Sequence, residues 1–233
     1  MAKAEAPLAE QAAYYRARAE EYDEWWQRRG RYDRGAEATR NWQDDVRALE
    51  RALDRFGPSG QVLELASGTG WWTGRLARHA ETLTCVDAAP ETIEVNRRRL
   101  AEAELPAPRY VEADLFDWRP DARYDVVFFS FWLSHVPPER FDAFWQQVAA
   151  ALKPDGRVFF IDSRPEQSAS AQGQRPPDDD GIQERELNDG RSFRIVKLFY
   201  EPEALAERLA GLGWRATCAH TAHYFLHGEA SRA

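Results

Sequence analysis

Two glycines and an aspartate are spaced in a way that can bind a nucleoside. The segment VLELASGTG, residues 62–70, contains Gly68 and Gly70, which permit a tight turn and a close approach of the backbone to a ligand. The helix predicted after such a turn offers free backbone N–H groups. Asp87 ends the next strand-like segment, where its carboxylate can bind both hydroxyls of a ribose. We therefore predict an adenosine-type cofactor on this turn.

The neighbours of the turn argue against a dinucleotide. A pyrophosphate would meet the Glu64 carboxylate and the bulk of Trp71 and Trp72, where dinucleotide sites usually have small residues. A cofactor that carries an amino group or a sulfonium, and no phosphate, would accept Glu64 and tolerate the tryptophans. The glycine motif is a weak signal by itself, so the segments that accompany it must decide.

A lysine interrupts an apolar row in the strand-like segment SFRIVKLF, residues 192–199. Side chains alternate along a strand, so Phe193, Ile195, Lys197 and Phe199 share one face. Parity alone leaves two interpretations of Lys197: the solvated end of an edge strand, or a cation that points into a site.

Composition narrows the function classes. The 233 residues carry a formal net charge of −8, which argues against a general nucleic-acid binder. No apolar run suits a membrane span or a secretion signal, and Cys85 and Cys218 show no metal-ligand spacing. His220, His223 and His227 lack a carboxylate at ligand spacing. We expect a cytoplasmic protein without a metal.

The elements that must position these residues follow from hydrophobic spacing. Apolar residues from Leu8 to Trp26 predict one helix that ends near Gly30, and those from Trp42 to Phe56 predict a second. From Gly60 onward, short strand-like runs alternate with helical stretches at 71–80, 90–104 and 138–152, which indicates a parallel sheet covered on both faces.

The C-terminal third is predicted to contain a long loop, a hairpin, a last helix and a last strand. Residues 164–181 have no periodicity and are predicted to be a loop that could close as a lid. Residues 186–199 predict a hairpin turned at 188–190, and a last helix precedes one last strand at 215–228.

The motifs around these elements carry a family resemblance. ELASGTG, CVDAAP, EADLFDW, YDVVFFSFWLSHVP and LKPDGRVFFIDS resemble, in order and spacing, the class I S-adenosylmethionine-dependent methyltransferases, over residues 60–163. The resemblance implies a Rossmann-like α/β fold with a seven-stranded, mostly parallel sheet and an antiparallel last strand. We expect an N-terminal helical lid, residues 1–57, on an α/β domain, residues 58–233. The sequence departs from the family at Ala66, where glycine is common.

The resemblance implies S-adenosyl-L-methionine as the cofactor. The glycine turn would wrap its methionine half, Asp87 its ribose, and Asp114 with Leu115 its adenine. The alternative interpretation is that Asp87 and Asp114 cap the turns that follow them. The predicted cofactor contacts are Tyr22, Glu64, Ala66, Ser67, Gly68, Gly70, Trp72, Asp87, Ala88, Asp114, Leu115 and Ser130.

The acceptor side resembles a smaller group. YYRARAEEYD, FWLSHVPPERFDAFW and DGRSFRIVK are similar to the small-molecule methyltransferases that include the phosphonate O-methyltransferase of dehydrophos biosynthesis. That resemblance implies Lys197 and Tyr32 at the acceptor. His135 is either a base or a residue that hydrogen-bonds its loop. The other predicted acceptor contacts are Trp26, Trp132, Arg185, Arg191 and Arg194, and Arg194 is given less weight because it shares no strand face with Lys197.

These features favour one reaction and leave two alternatives. We expect O-methylation of a small phosphonate, phosphate or carboxylate in secondary metabolism, because such an oxygen is already ionised and requires only a cation to hold it. The alternatives are N- or C-methylation of an aromatic acceptor among the tryptophans, and a binding protein without turnover. We expect a small-molecule acceptor, no nucleic acid or membrane partner, and a monomer or homodimer.

Overall fold

The computed structural model describes residues 2–233 and, of their side chains, those from Pro7 onward. The helices in this part of the chain are α1 (Ala2–Ala17), α2 (Tyr22–Gln27), α3 (Gly35–Phe56), α4 (Thr73–Leu76), α5 (Pro90–Glu102), α6 (Phe141–Ala151) and α7 (Pro202–Gly211). The strands are β1 (Gly60–Leu65), β2 (Ala80–Asp87), β3 (Arg109–Glu112), β4 (Tyr124–Ser130), β5 (Leu152–Ser163), β6 (Ile182–Glu186), β7 (Ser192–Val196), β8 (Trp214–His220) and β9 (Phe225–Arg232).

The main sheet is the predicted Rossmann-like one. Its seven strands have the order β3-β2-β1-β4-β5-β9-β8. β1 to β5 run parallel, and β9, the last strand of the chain, lies antiparallel to both β5 and β8. The strand order reverses between β1 and β4, and in open α/β sheets the crevice at such a point binds the ligand.

The central strands are apolar because both faces of the sheet are covered. Along β4, Val127 and Phe129 pack into the hydrophobic core on one face, while Val126 and Phe128 pack into the core on the other. All four side chains are almost fully buried. This burial explains why the strand reads as a continuous apolar run.

Three predicted boundaries are corrected. The single N-terminal helix is two helices, α1 and α2, joined by a tight turn in which the Glu21 N–H donates to the Arg18 carbonyl at 2.8 Å. The helix predicted at 71–80 is the short α4, because β2 already begins at Ala80. The stretch 138–152 starts as a 3-10 turn, and its last residue, Leu152, opens β5.

The predicted last strand is two strands, β8 and β9. A buried carboxylate on α3 holds the turn between them. Asp45 Oδ2 accepts hydrogen bonds from Thr221 Oγ1 at 2.6 Å, from the His223 N–H at 2.9 Å and from the Tyr224 N–H at 2.7 Å. Because Asp45 is remote in sequence, the alternating pattern of 215–228 could not reveal this turn.

The predicted hairpin forms a separate two-stranded sheet, β6 and β7. α1 packs on β7, where Tyr14 joins Leu187 and Ile195 in a small third core. The predicted division between residues 57 and 58 falls between α3 and β1 and stays a prediction. None of the helices described is both long and apolar enough to cross a membrane.

Candidate functional site

A cavity of about 350 Å³ opens at the carboxyl ends of β1, β2 and β4. It lies where the strand order reverses, and its size is that of a small-molecule site. Eight of the predicted cofactor contacts line it: Tyr22, Ala66, Gly68, Asp87, Ala88, Asp114, Leu115 and Ser130.

Asp87 is fixed at the end of β2 by hydrogen bonds. Its carboxylate accepts from the Gly68 N–H at 2.8 Å, from the Ala89 N–H at 2.9 Å and from Thr92 Oγ1 at 3.1 Å. Burial raises the pKa of Asp87, although these hydrogen bonds oppose the shift. Asp87 therefore caps the turn that leads into α5, as the alternative interpretation required, and also lines the cavity.

Glu64 lies beneath the glycine turn and does not line the cavity. Thr73 Oγ1 donates to Glu64 Oε2 at 2.6 Å, and the Asn96 amide donates to Thr73 Oγ1 at 2.9 Å. Burial raises the pKa of Glu64 to about 8, so its carboxyl group is mostly protonated at neutral pH. The predicted contact of Glu64 with the cofactor is therefore replaced by a role in supporting the turn.

Three other predicted contacts also lie away from the cavity surface. Trp72 is corrected to a core residue, because its ring packs against Phe128 at 6.0 Å between centroids. Gly70 faces Asn96, and Ser67 is buried beside it in the turn.

The far end of the cavity is aromatic. Asp114 Oδ1 accepts from the Phe116 N–H at 2.9 Å, and the Phe116 ring lies 5.2 Å from that of Trp132. Trp132 lines this larger cavity and not the smaller one, and its predicted contact with the acceptor stays a prediction.

The residues of this cavity fit S-adenosylmethionine. Three carboxylates, Asp87, Asp114 and Asp117, and one guanidinium, Arg140, line it, which suits a ligand with an amino group and a sulfonium and no phosphate. Aromatic and aliphatic side chains at the Trp132 end suit a flat base. Among residues 7–233 there is no cluster of His, Cys, Asp and Glu that could hold a metal.

A smaller cavity, of about 50 Å³, adjoins the first. Tyr15, Tyr22, Phe131 and His135 line both. The charged residues that line it are all basic, Arg18, Arg164, Arg185 and Lys197, and no Asp or Glu is among the lining residues.

Lys197 is buried, so its interpretation as a solvated strand end is wrong. Its residue is 5% exposed, and Nζ donates to Ser134 Oγ at 2.8 Å and to Ser163 Oγ. The Asp162 carboxylate lies 3.6 Å from Nζ. Burial lowers the pKa of Lys197 to about 8, against the opposing effect of Asp162. β7 ends at Val196, and the Lys197 N–H then bonds the Gly181 carbonyl at 2.7 Å, which turns the side chain inward.

His135 is a neutral imidazole whose two nitrogens are both occupied. Nδ1 lies 2.6 Å from the Val196 carbonyl oxygen, which can only accept, so Nδ1 carries the proton. Nε2 therefore accepts a hydrogen bond from the Tyr15 hydroxyl, with 2.7 Å between Nε2 and the hydroxyl oxygen. Burial lowers the pKa of His135 well below its usual value, and the Lys197 charge lowers it further. The His135 ring thus hydrogen-bonds the end of β7 and α1 rather than its own loop, and its role as a base stays a prediction.

Tyr32 is buried beside the smaller cavity but is not among its lining residues. Its hydroxyl accepts from Arg18 Nη2 at 3.0 Å. Burial would raise the pKa of Tyr32, but the guanidinium groups of Arg18, Arg185 and Arg31 together lower it. The hydroxyl is therefore held against the cationic side of the cavity.

Of the four remaining predicted acceptor contacts, one lines the smaller cavity and three do not. Arg185 lines the smaller cavity. Arg191 and Arg194 are corrected to surface residues, because each is exposed and ion-paired, with Asp189 and Glu10 respectively. Trp26 is corrected to a member of an aromatic cluster, where it stacks on Trp71 at 5.2 Å.

Sequence reasoning missed five polar residues of the smaller cavity: Arg18, Ser163, Arg164, Ser170 and Gln183. A signal existed for Arg18. It falls between Tyr14 and Tyr22 at four-residue steps, so it interrupts an aromatic helical stripe as Lys197 interrupts an apolar strand row. The other four residues lie in or beside the segment without periodicity, where no pattern reports side-chain direction.

Comparison with known proteins agrees with this geometry. A methyltransferase-domain family model matches residues 62–156. A solved complex of DhpI with SAH is 38% identical, with 98% of each chain covered and a TM-score of 0.76. A complex of DhpI with SAM and HEP is 36% identical, covering 97% of this chain and 98% of that one, with a TM-score of 0.77.

Curated relatives match over shorter spans. A fatty-acid O-methyltransferase of Mycolicibacterium smegmatis is 36% identical over 108 residues, 45% of this chain and 38% of that protein. An N-terminal Xaa-Pro-Lys N-methyltransferase 1 of Danio rerio is 26% identical over 62% of this chain and 66% of that protein. The chain thus spans less than two thirds of the length of these relatives.

The glycine turn gives a matched pair of substitutions. Gly68 and Gly70 both have positive φ, +51° and +88°, but a Cβ on Gly68 meets nothing within 4 Å, whereas one on Gly70 would lie 2.5 Å from Asn96 Oδ1. We expect Gly68→Ala to lower the free energy of unfolding by about 1 kcal/mol through backbone strain. Gly70→Ala should cost about 1–3 kcal/mol more, since Asn96 must move. Urea unfolding of both variants checks this, and equal losses would contradict it.

Proposed function

Because this chain belongs to the S-adenosylmethionine-dependent methyltransferases, we propose that it transfers the methyl group to an oxygen of a small anionic acceptor. The acceptor is a phosphonate, phosphate or carboxylate of secondary metabolism, as the sequence resemblance implies. The predicted cytoplasmic location and the predicted monomeric or homodimeric state stay predictions.

One observation carries this proposal. The cavity that adjoins the cofactor cavity is lined by four basic side chains and by no carboxylate. In a protein with a formal charge of −8, such a cluster is positioned for an anion. The likeness to DhpI, solved with SAM and HEP together, supports the same assignment.

The residues near the junction fit an acceptor that arrives ionised. Bound S-adenosylmethionine supplies an electrophilic methyl group on a sulfonium, which the acceptor oxygen attacks in line. A neutral hydroxyl would require a base, yet His135 Nε2 is occupied by the Tyr15 hydroxyl. An anionic oxygen requires a cation to position it, which Lys197 provides.

The N-terminal segment and the 164–181 loop act together as the predicted lid. Trp25 Nε1 donates to the Ala169 carbonyl at 2.9 Å, and Arg28 donates to the same carbonyl at 3.3 Å. Arg34 Nη2 donates to the Ser170 carbonyl at 3.1 Å. Since Trp25 and Ala169 both line the smaller cavity, these hydrogen bonds hold the two segments together over it and exclude water from the acceptor.

The aromatic alternative has less support, because most of the tryptophans pack on one another. Trp26, Trp42 and Trp71 form one cluster, and only Trp25 reaches the smaller cavity among the residues described.

Turnover with a panel of acceptors tests the function. We expect S-adenosylhomocysteine to form with small phosphonates, phosphate monoesters or carboxylates, and not with indoles or aromatic amines. The acceptor KM should rise with ionic strength, because salt screens the attraction. Preferential turnover of aromatic amines would replace this proposal by the aromatic alternative, and no turnover with either class would favour a binding protein.

Lys197→Ala should raise the acceptor KM about 10- to 100-fold, since a charge-assisted hydrogen bond contributes about 1.5–3 kcal/mol. The dissociation constant of S-adenosylmethionine, measured by calorimetry, should change less than about twofold, because Lys197 is not among the residues that line the larger cavity. Arg191→Ala, which removes an exposed and ion-paired cation, is the control. Equal losses of acceptor and cofactor binding would contradict the role of Lys197.

The pKa of Lys197 predicts a pH dependence. Since this pKa is about 8, the ammonium loses its charge as the pH rises through that value. With an acceptor that does not titrate between about pH 6 and 9, kcat/KM should fall up to about tenfold per pH unit above about 8. Lys197→Arg should abolish this fall, because a guanidinium stays charged. A wild-type profile that is flat up to pH 9 would oppose the prediction.

A further inference from the structure

Arg18 is a buried guanidinium without a carboxylate partner among the side chains described. The residue is 6% exposed, and its Nη2 donates to the Tyr32 hydroxyl at 3.0 Å. The rings of Tyr14, Tyr22 and Tyr32 surround it, with their centroids 5.5, 4.8 and 5.7 Å from Cζ. No ion pair of Arg18 occurs within residues 7–233.

This arrangement leaves a positive charge uncompensated. Arginine cannot escape the cost of burial by losing its proton, because its pKa is too high. Ring contacts attract the guanidinium, but a neutral ring does not cancel its charge, and a buried charge without a counter-ion lowers stability. A bound anion would therefore balance the charge of Arg18. Because Arg18 lines the smaller cavity, that cavity is where the anion would bind.

Arg185 is a second uncompensated cation of that cavity. Its Nη1 donates to the neutral Gln174 Oε1 at 3.2 Å, and its buried Nε has no hydrogen-bond partner in the described part of the chain. Lys197 differs from both arginines, because the buried Asp162 carboxylate lies 3.6 Å from Nζ and offsets its charge. Arg164, the third arginine of the cavity wall, directs Nη1 to the carbonyl oxygens of Thr221 at 2.8 Å and Ala222 at 3.2 Å. The charge left over in the cavity wall is thus that of the arginines, of which Arg18 and Arg185 donate only to a hydroxyl and to an amide oxygen.

We propose that Arg18 binds the acceptor's oxyanion and, together with Arg185, selects an acceptor with two negative charges over one with a single charge. A monoanion would leave one guanidinium unpaired in a buried site, whereas a dianion balances both. Arg18 follows α1, and Arg185 lies on β6, so the acceptor links the N-terminal helices to the hairpin. This inference rests on the proposed function and adds its charge selectivity.

A purely structural role for Arg18 is the competing explanation. In that case the guanidinium only supports the three tyrosines, and its loss would lower stability without changing preference among acceptors. The experiment must therefore measure the ratio of two acceptors, which a loss of folded protein does not alter.

The test compares a phosphonate acceptor with its carboxylate analogue at a pH where the phosphonate is doubly charged. We expect the wild-type enzyme to favour the phosphonate in kcat/KM. Arg18→Gln should reduce that preference about 10- to 100-fold through the KM of the phosphonate, with the cofactor dissociation constant unchanged within about twofold. The acceptor preference of Arg18→Lys should lie between those of the wild type and Arg18→Gln, because lysine keeps the charge but lacks the paired N–H donors of a guanidinium. Arg97→Gln, which removes an exposed guanidinium that packs on Tyr110 and pairs with Glu94, is the matched control.

Binding of inorganic phosphate gives a readout independent of turnover. At constant ionic strength, phosphate should raise the Tm of the wild-type protein and of Arg97→Gln, and raise that of Arg18→Gln much less. If Arg18→Gln does not fold, Arg18→Lys and Tyr32→Phe, which removes only the hydroxyl that holds the guanidinium, take its place. Unchanged acceptor preference and unchanged phosphate binding in these variants would overturn the role of Arg18. A wild-type protein that neither uses anions nor binds phosphate would instead overturn the proposed function.

Discussion

A charge buried in a protein requires a counter-charge nearby. In the smaller cavity, which adjoins the cofactor site, the cations that lack one are the basis of the proposed function. Lys197 is offset by Asp162, whereas Arg18 and Arg185 face no carboxylate among the described residues. An unpaired buried charge lowers stability, and a fold tolerates that loss where a bound ligand neutralises the charge. The same constraint applies to His135, because burial lowers the pKa of its ring and the Lys197 charge lowers it further, so the ring stays neutral.

The fold separates the two halves of the site. The cofactor half comes from the ends of β1, β2 and β4, where backbone N–H groups and Asp87 are set by the sheet. The proposed acceptor half comes mostly from segments added to that sheet, which are α1 and α2, the 164–181 loop and the β6–β7 hairpin, together with residues at the ends of β4 and β5. One sheet can thus keep a cofactor site while the added segments change the acceptor.

Sequence predicted the sheet well because its signals are local. A strand buried on both faces reads as an apolar run, and a glycine turn that must approach a ligand excludes other residues, so β1 to β5 and the Asp87 position followed directly. The misjudged boundaries depend on distant partners. Asp45 on α3 holds the turn between β8 and β9, and the turn between α1 and α2 lies inside a stripe whose spacing continues through it.

The acceptor residues show the same limit more sharply. Arg191 and Arg194 were chosen for residue type and nearness to Lys197, yet Arg194 pairs with Glu10, 184 positions away in the chain. Residue type tells which side chains are cations, but only the fold tells which cations remain unpaired. Arg18 was overlooked because a helix that carries charges normally turns them to solvent. A charged residue at a buried position of a stripe that runs from a helix into the following turn is therefore as informative as Lys197 after its strand, and in both cases the break in the pattern coincides with the cavity.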